Sequence, residues 1–335
     1  MGYLASFFEA GGERMLVMLI RPEGEPAMIV PALTATHASH TGIGDIRPWS
    51  DGEDPSKLFK AIGSEWKLDA GVIAVDDEMP AGFLLPMQRA LPAALFKCGG
   101  EVMAELRKRK DGVELSKMRK AGQIAESAFE DLRAKLAPGL TEREAVMTLF
   151  EGMMQRGGPP TFAIAATGKN GAEPHHDSDS TPIAVGDVIV IDWGCHVDRY
   201  LSDITRTVAV GKPEDEAFEV YRVVYEAHMA ARAAIRPGVP CEQIDAAARK
   251  VIDDAGYAAY FVHRTGHGIG MMGHEPPHIV KGSLSPLEVG QCFSVEPGIY
   301  LPGRFGVRIE NIVTVTEDGH NSLNSEPPAE LPVIR

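Results

Sequence analysis

Five residues far apart in the chain combine the chemistry of metal ligands with placement at or near apolar runs: Asp192, Asp203, His267, Glu296 and Glu310. From Asp187 to Asp192 a run of Val and Ile reads as a buried strand that ends in an acid, followed by Gly194. A carboxylate in such a place is costly unless it is paired or coordinates a metal. The next strand, Leu201 to Val210, carries Asp203 within Ser202-Asp-Ile-Thr-Arg-Thr207, and the short Gly194 to Arg199 connection allows a hairpin in which Asp192 and Asp203 face each other. Each acid alone could instead cap a turn or pair with Arg206. Gly306-Val-Arg-Ile-Glu310-Asn alternates in polarity, so the two-residue period of a strand puts Arg308 and Glu310 on one face and Val307 and Ile309 on the other. A strand inside a domain rarely buries two such charges without a task. His263-Arg-Thr-Gly-His267-Gly-Ile-Gly270 is punctuated by glycine, which predicts His267 on a turn rather than on a helix face, and His274 follows in Gly273-His-Glu-Pro-Pro277. A lone histidine is more often a satisfied core residue than a ligand, and a pair four apart without a glutamate between them is a weak motif.

Four carboxylates and one imidazole form a hard to borderline donor set, suited to Mn, Co or Zn and too poor in sulfur for a structural zinc site. Two such ions about 3.5–4 Å apart would hold a bridging hydroxide and polarise a carbonyl, which makes metal-assisted hydrolysis the reaction class.

The elements that must deliver these residues are repeated. Pro182-Ile-Ala-Val-Gly186 followed by Asp-Val-Ile-Val-Ile-Asp192 lines up with Pro286-Leu-Glu-Val-Gly290 followed by Gln-Cys-Phe-Ser-Val-Glu296, at an offset of 104 residues. Pro138-Gly139 and Pro237-Gly238, each ahead of a helix, recur at an offset of 99. Two similar halves, each ending a buried strand in a carboxylate, would bring both acids to one central site through a pseudo-twofold. Before the repeat, Leu115, Met118, Ala121, Ile124 and Ala128 mark an amphipathic helix from Val113 to Leu136, and Thr141 with Glu144 is a capping-box pattern opening a helix to about Gln155. Further upstream, apolar runs at Met15 to Ile20, Ala27 to Val30 and Gly71 to Val75 alternate with helix-length stretches at Pro55 to Trp66 and Gly82 to Leu95. The class is therefore α/β (α+β), with a small N-terminal α/β domain over residues 1–110 and a second domain over 111–335.

A length of 335 residues, 44% hydrophobic, supports two packed domains. The net charge of −14 attracts divalent cations and repels a phosphate backbone, so nucleic acid is not an expected partner. The basic run Arg107-Lys-Arg-Lys110 reads as a solvated linker or helix face. The scattered Cys98, Cys195, Cys241 and Cys292 suggest neither a zinc knuckle nor a disulfide framework and fit a reducing cytoplasm. No basic and apolar leader opens the chain and no apolar run approaches the ~18 residues that span a bilayer, so neither export nor membrane anchoring is expected.

Taken together, Asp192-Trp-Gly, Ser202-Asp-Ile-Thr-Arg-Thr207, Gly266-His-Gly-Ile-Gly270, His274-Glu-Pro-Pro277, Val295-Glu-Pro-Gly298 and Val307-Arg-Ile-Glu310-Asn311 resemble the pita-bread metallopeptidases of the branch containing prolidase and aminopeptidase P. The resemblance covers almost the whole chain. It implies a creatinase-like N-terminal domain before a pita-bread catalytic domain, two divalent ions with Mn ahead of Co or Zn, and a homodimer. By similarity, Asp192 and Asp203 bind one metal and bridge to the other, which His267, Glu296 and Glu310 complete, and Glu296 takes the proton of the nucleophilic water. His175, which lies 17 residues before Asp192, matches a substrate-polarising histidine. His263 and His274 match the other two histidines of the site, and Arg308 matches an arginine that supports Glu310 or the substrate. His176 is read as a neighbouring loop residue. The implied activity is cleavage of the bond before proline in small peptides, a tertiary amide without a donor hydrogen.

Two departures qualify the match. Some prolidases place an arginine four residues after the histidine matching His274, where it clamps a dipeptide's terminal carboxylate, and here His278 stands there. An aminopeptidase acting on longer peptides gains ground accordingly. Tyr3-Leu-Ala-Ser-Phe7 matches a segment that relatives reach after an additional helix and strand, which predicts either a shortened N-terminal domain or a natural start upstream of Met1. The rival readings are a methionine aminopeptidase, a metal-independent amidinohydrolase such as creatinase, and a non-catalytic pita-bread binding protein. The first usually has no N-terminal domain and no Arg308-Ile-Glu310-Asn311 string. The other two lose the five ligands.

Overall fold

The computed structural model describes residues 1–9 and 12–335. The chain forms two compact units, Met1–Met103 and Ala104–Arg335.

In the first unit β1 (Val17–Leu19) pairs antiparallel with β2 (Ala27–Pro31), which pairs parallel with β3 (Asp45–Trp49). Strand β2 is apolar throughout because both of its faces are covered: Ala27 and Ile29 join one core cluster, Met28 and Val30 another. Helix α1 (Ser56–Glu65), β4 (Val72–Val75), α2 (Ala81–Ala90) and β5 (Leu95–Cys98) follow, with β4 and β5 parallel. Phe59 and Ile62 of α1 and Met87 of α2 are buried together with Leu91.

The second unit opens with α3 (Gly112–Arg133) and α4 (Glu142–Gln155). Each starts with a capping box, Asp111 with Glu114 and Thr141 with Glu144, in which side chain and backbone satisfy one another's free groups. A first sheet runs β17 (Val333–Ile334), β9 (Ile204–Val210), β7 (Val188–Val197), β6 (Pro160–Thr167), with the short β8 (Tyr200–Leu201) closing the hairpin out of β7. Helices α5 (Asp215–Ala233) and α6 (Cys241–Asp254) lead to a second sheet of β11 (Glu275–Ile279), β10 (Gly266–Gly268), β12 (Cys292–Val295), β15 (Asn311–Val315) and β16 (His320–Ser322). A separate hairpin is made by β13 (Gly298–Leu301) and β14 (Phe305–Arg308).

The internal repeat is visible in hydrogen bonds. Gly139 N–H donates to Ile183 O and Gly238 N–H to Leu287 O, both at 2.8 Å, and the return bonds Ile183 to Leu140 and Leu287 to Val239 are both 2.9 Å. Gly139 and Gly238 have φ of 94° and 83°, which is why glycine precedes the helix in both halves. The two-residue period then sorts side chains in each half. Ile189, Ile191 and Trp193 of β7 join the core beneath α3 and α4, whereas Phe293 and Val295 of β12 join the core beneath α5 and α6. Asp192 and Glu296 carry the opposite parity, on the faces turned away from those helices.

Four local expectations are corrected. The basic run is not solvated: Lys110 is buried and donates to Glu275 at 2.6 Å, Arg107 pairs with Glu275, and Lys108 and Arg109 pair with Glu288. Asp203 lies not within a strand but in the break between β8 and β9, where the Ser202 carbonyl comes so close to Gly194 that a Cβ there would sit 2.2 Å from it. His267 is the middle residue of strand β10, not a turn residue, and its glycine neighbours are needed for close backbone contact; a Cβ at Gly266 would meet Ser294 O at 1.8 Å. Glu310 follows the end of β14 and precedes β15, so Arg308 and Glu310 do not share one strand.

Candidate metal centre

Asp192 reaches the site from β7, whose end is pinned by its neighbour. Trp193 donates its Nε1–H to Ala125 O at 2.8 Å and stacks on Phe129 with centroids 4.8 Å apart. Such aromatic pairs contribute about 0.5–1.5 kcal/mol beyond burial, so the strand end is fixed to α3. Asp192 pairs in register with Thr205 and Trp193 with Ile204, which puts Asp203 opposite Gly194 and on the same sheet face as Asp192. The two acids therefore share a face two pairs apart in the ladder rather than standing directly opposite. Arg206 takes neither of them, since its guanidinium donates to the carbonyls of Glu310 (2.6 Å), Ser325 (2.7 Å) and Thr205 (3.0 Å).

Asp203, His267 and Glu310 are all buried, and one ligand atom of each lies within 4.8 Å of the others. His267 Nε2 stands 3.3 Å from Glu296 Oε1 and 3.9 Å from Asp203 Oδ2. Its Nδ1 meets the Gly268 carbonyl at 3.1 Å, which makes Nδ1 the donor and turns Nε2 toward the acids. Asp192 Oδ2 accepts from Arg308 Nη2 at 2.8 Å. The structure thus brings all five sequence-derived candidates to one place, drawn from both halves of the repeat.

The electrostatics divide these carboxyls. Burial, and then the charges of Glu310, Asp192 and Glu296, push Asp203 well above the usual carboxylate range. Glu310 moves the same way, through burial and the charges of Glu296 and Asp192. Burial also acts to raise Glu296, but the hydrogen bond and charge of His267, with His263 and Arg308, overcome it and hold this group down at about 2. Two of the acids are thus starved of positive charge. Asp192 Oδ1 and Glu310 Oε1 are moreover buried with no hydrogen-bond partner among the described residues. An ionised oxygen in that state is expensive, and a bound cation is what satisfies it. The donor set fits divalent ions.

A hydrogen-bonded chain supports the acids. Arg308 donates to Asp192, to Tyr300 Oη (2.9 Å), to Thr205 Oγ1 (3.1 Å) and to Pro174 O (3.3 Å). Tyr300 Oη lies 2.8 Å from His263 Nε2, while His263 Nδ1 lies 2.7 Å from Arg264 O. Because a carbonyl only accepts, His263 donates from Nδ1 and receives the Tyr300 proton at Nε2, so both of its nitrogens are engaged. His274 is exposed and its ring centroid is 3.9 Å from that of His267; burial, then charge on His267 and Arg264, lowers it to about 4, so it is neutral at pH 7. His175 is exposed and follows Pro174, whose carbonyl Arg308 holds. His176 Nε2 meets the fully buried Glu142 at 2.8 Å, and Glu142 also accepts from Thr167 N–H, Asn170 Nδ2–H and Asp179 N–H, which fixes the loop bearing His175. Sequence reasoning missed Tyr300, Thr205, Ser294 and Glu142. For Thr205 a signal existed, the period-2 spacing from Asp203; for Glu142 there was none.

The fold and donor set define a pita-bread hydrolase dependent on divalent metal ions. Residues 116–317 match the model of metallopeptidase family M24, and the chain belongs to that family. It is 40% identical over 329 residues to a probable dipeptidase PepE of Mycobacterium tuberculosis, covering 96% of this chain and 86% of that one. It is 36% identical over 323 residues to an Xaa-Pro dipeptidase of Lactobacillus delbrueckii subsp. lactis, covering 95% and 88%. The crystal structure of prolidase from Thermococcus sibiricus superposes with a TM-score of 0.94 at 36% identity, covering 99% of this chain and 91% of that one. Among the described residues no helix is long and apolar enough to cross a membrane.

Proposed function

We propose that this protein is an Xaa-Pro dipeptidase that hydrolyses the bond before proline in small peptides, using two divalent ions, Mn foremost, held by Asp192, Asp203, His267, Glu296 and Glu310. The observation that carries the reading is the buried cluster of Asp203, His267 and Glu310, with unpartnered oxygens on Asp192 and Glu310, in a chain similar to Xaa-Pro dipeptidases. Asp192 and Asp203 from one half, with His267, Glu296 and Glu310 from the other, would hold the two ions. When bound, the ions supply Lewis acidity toward the peptide carbonyl and acidify a water. Glu296, held ionised, receives the proton of that water. His175 and His274, the exposed histidines of the group, hydrogen-bond the substrate, and Arg308 with His263 keeps Asp192 and Tyr300 in place.

One contact favours dipeptides over longer chains. Arg264 Nη1 lies 3.2 Å from His278 Nδ1, meets no carboxylate among the described residues and is near enough to His274 for its charge to act there, which supports reading it as the cation that takes the prolyl carboxylate of a dipeptide. We extend the reading to a catalytic domain of residues 111–335 behind an N-terminal domain of residues 1–110, to a homodimer, and to the cytoplasm, which the four free cysteines suit.

The test is hydrolysis of Ala-Pro, Ala-Pro-Ala and Ala-Ala by metal-stripped protein reloaded with Mn, Co or Zn, with Asp203→Asn as blank. Cleavage of Ala-Pro well above Ala-Pro-Ala, with Ala-Ala intact, is expected. Faster cleavage of the tripeptide would make it an aminopeptidase, and no cleavage with any metal would remove the enzymatic reading.

A further inference from the structure

Two buried hydroxyls that are not among the five candidate ligands have the direction of their single proton fixed by their surroundings. Ser294, fully buried on β12, accepts the backbone N–H of His267 at 2.9 Å and lies 3.0 Å from Glu296 Oε1. A backbone N–H only donates and a carboxylate oxygen only accepts, so the Ser294 proton is committed to Glu296. Thr205, fully buried on β9, repeats the arrangement in the other half. Its Oγ1 accepts Arg308 Nε–H at 3.1 Å, and arginine has no acceptor, so its proton goes to Glu310 Oε2 at 2.7 Å. Glu310 N–H also donates to Thr205 O at 3.1 Å, which ties the two residues at both backbone and side chain although they are 105 apart in sequence.

Each contact fixes one oxygen of a carboxylate: Oε2 of Glu310, and Oε1 of Glu296, the oxygen that also stands 3.3 Å from His267 Nε2. For Glu310 the consequence is visible, since Oε2 is held and Oε1 is buried without a partner. Asp192 shows the same division with Arg308 in place of a hydroxyl: Oδ2 is held and Oδ1 is free. Carboxylates with one oxygen pinned and the other aimed at a common point are preorganised for cations, whereas an unpinned carboxylate turns or chelates in other ways.

We propose that Ser294 and Thr205 are positioning residues that select which oxygen of Glu296 and Glu310 faces the ions and thereby set metal affinity. Ser294 acts on two candidate ligands together, through the backbone of His267 and the side chain of Glu296. The inference rests on the ligand assignment of the proposed function and adds to it the residues that orient the ligands.

The experiment titrates Mn into the metal-stripped wild type, Thr205→Val, Thr205→Ser and Ser294→Ala by calorimetry. The fold is checked by near-ultraviolet circular dichroism, and kcat and KM are measured on Ala-Pro at saturating Mn. Loss of partners that orient a metal ligand weakens binding by roughly 10–100-fold, the effect expected for Thr205→Val and Ser294→Ala. Their kcat should fall with little change in KM, and Thr205→Ser, which keeps the hydroxyl, should stay close to the wild type. Unchanged Mn affinity in Thr205→Val and Ser294→Ala would overturn the inference, as would equal weakness of Thr205→Ser and Thr205→Val, which would make the missing methyl packing the cause. Should Thr205→Val not fold, Ser294→Ala and Thr205→Ser decide alone. A wild type that binds no Mn overturns the ligand assignment itself, a failure distinct from variants that bind as the wild type does.

Discussion

Replacing Arg308 by Met removes the cation that holds the site's acids in the absence of metal. Its guanidinium is almost wholly buried and donates to Asp192, Tyr300, Thr205 and Pro174, so the substitution strands an acid and three further acceptors. Breaking a buried ion pair by removing one partner costs about 3–5 kcal/mol, because the other charge stays buried without compensation. At about 2–4 °C per kcal/mol for a unit of this size, the melting temperature of metal-stripped Arg308→Met should fall by roughly 6–20 °C. Bound Mn restores positive charge beside Asp192, so part of the loss should return on reloading. Differential scanning calorimetry of wild type and variant, stripped and reloaded, measures both effects. A stripped variant that melts within a degree or two of the wild type would mean that buried Asp192 needs no partner, the opposite of what the ion pair implies.

Three further outcomes follow from the same geometry. Asp203 and Glu310 sit above the usual carboxylate range in the metal-free protein, so at these two groups the folded state binds more protons than the unfolded one above pH 4. Their contribution to stability is therefore lost as pH rises from the unfolded value toward the folded one, and metal binding must displace their protons. Between pH 5.5 and pH 7 the stripped Asp203→Asn should therefore fare better relative to the stripped wild type, its melting temperature falling less or rising more, and calorimetry in buffers of different ionisation enthalpy should detect proton release with Mn. Tyr300→Phe breaks the link from Arg308 to His263. Losing that hydroxyl should cost about 0.5–1.5 kcal/mol, read as a roughly two- to tenfold fall in kcat/KM on Ala-Pro. Lys110→Met leaves Glu275 with Arg107 alone and should destabilise the protein by about 1.5–3 kcal/mol in urea unfolding, whereas Arg109→Met, at an exposed pair, should change it by less than about 1 kcal/mol.

The parts of this structure legible in the sequence are those that linear spacing encodes. The 104-residue offset between Asp192 and Glu296 records two strands that end alike, and the repeated Gly139 and Gly238 turns confirm that the halves are built the same way. Capping boxes at Asp111 and Thr141 and the apolar period of α3 are local, so they too can be read directly. What escaped depends on approach between distant segments. Nothing near Lys110 in sequence announces Glu275, 165 residues away, so a buried anchor reads as a solvated run. The glycines around His267 do signal close backbone approach, but the partners are β12 at Gly266 and β11 at Gly268, and the approach makes a strand where glycine ordinarily suggests a turn. Thr205 and Ser294 carry no charge and sit in apolar strands, and their bearing on Glu310 and Glu296 appears only when the protons of the hydroxyls are followed.

Anomalous diffraction at the Mn edge, from crystals grown with Mn, would locate the two divalent ions that we propose are held by five residues from two repeated halves. Two peaks are expected, both in contact with Asp192, Asp203, His267, Glu296 and Glu310 taken together, and neither present in Asp203→Asn. Peaks elsewhere in the chain, or none at these residues, would contradict that assignment.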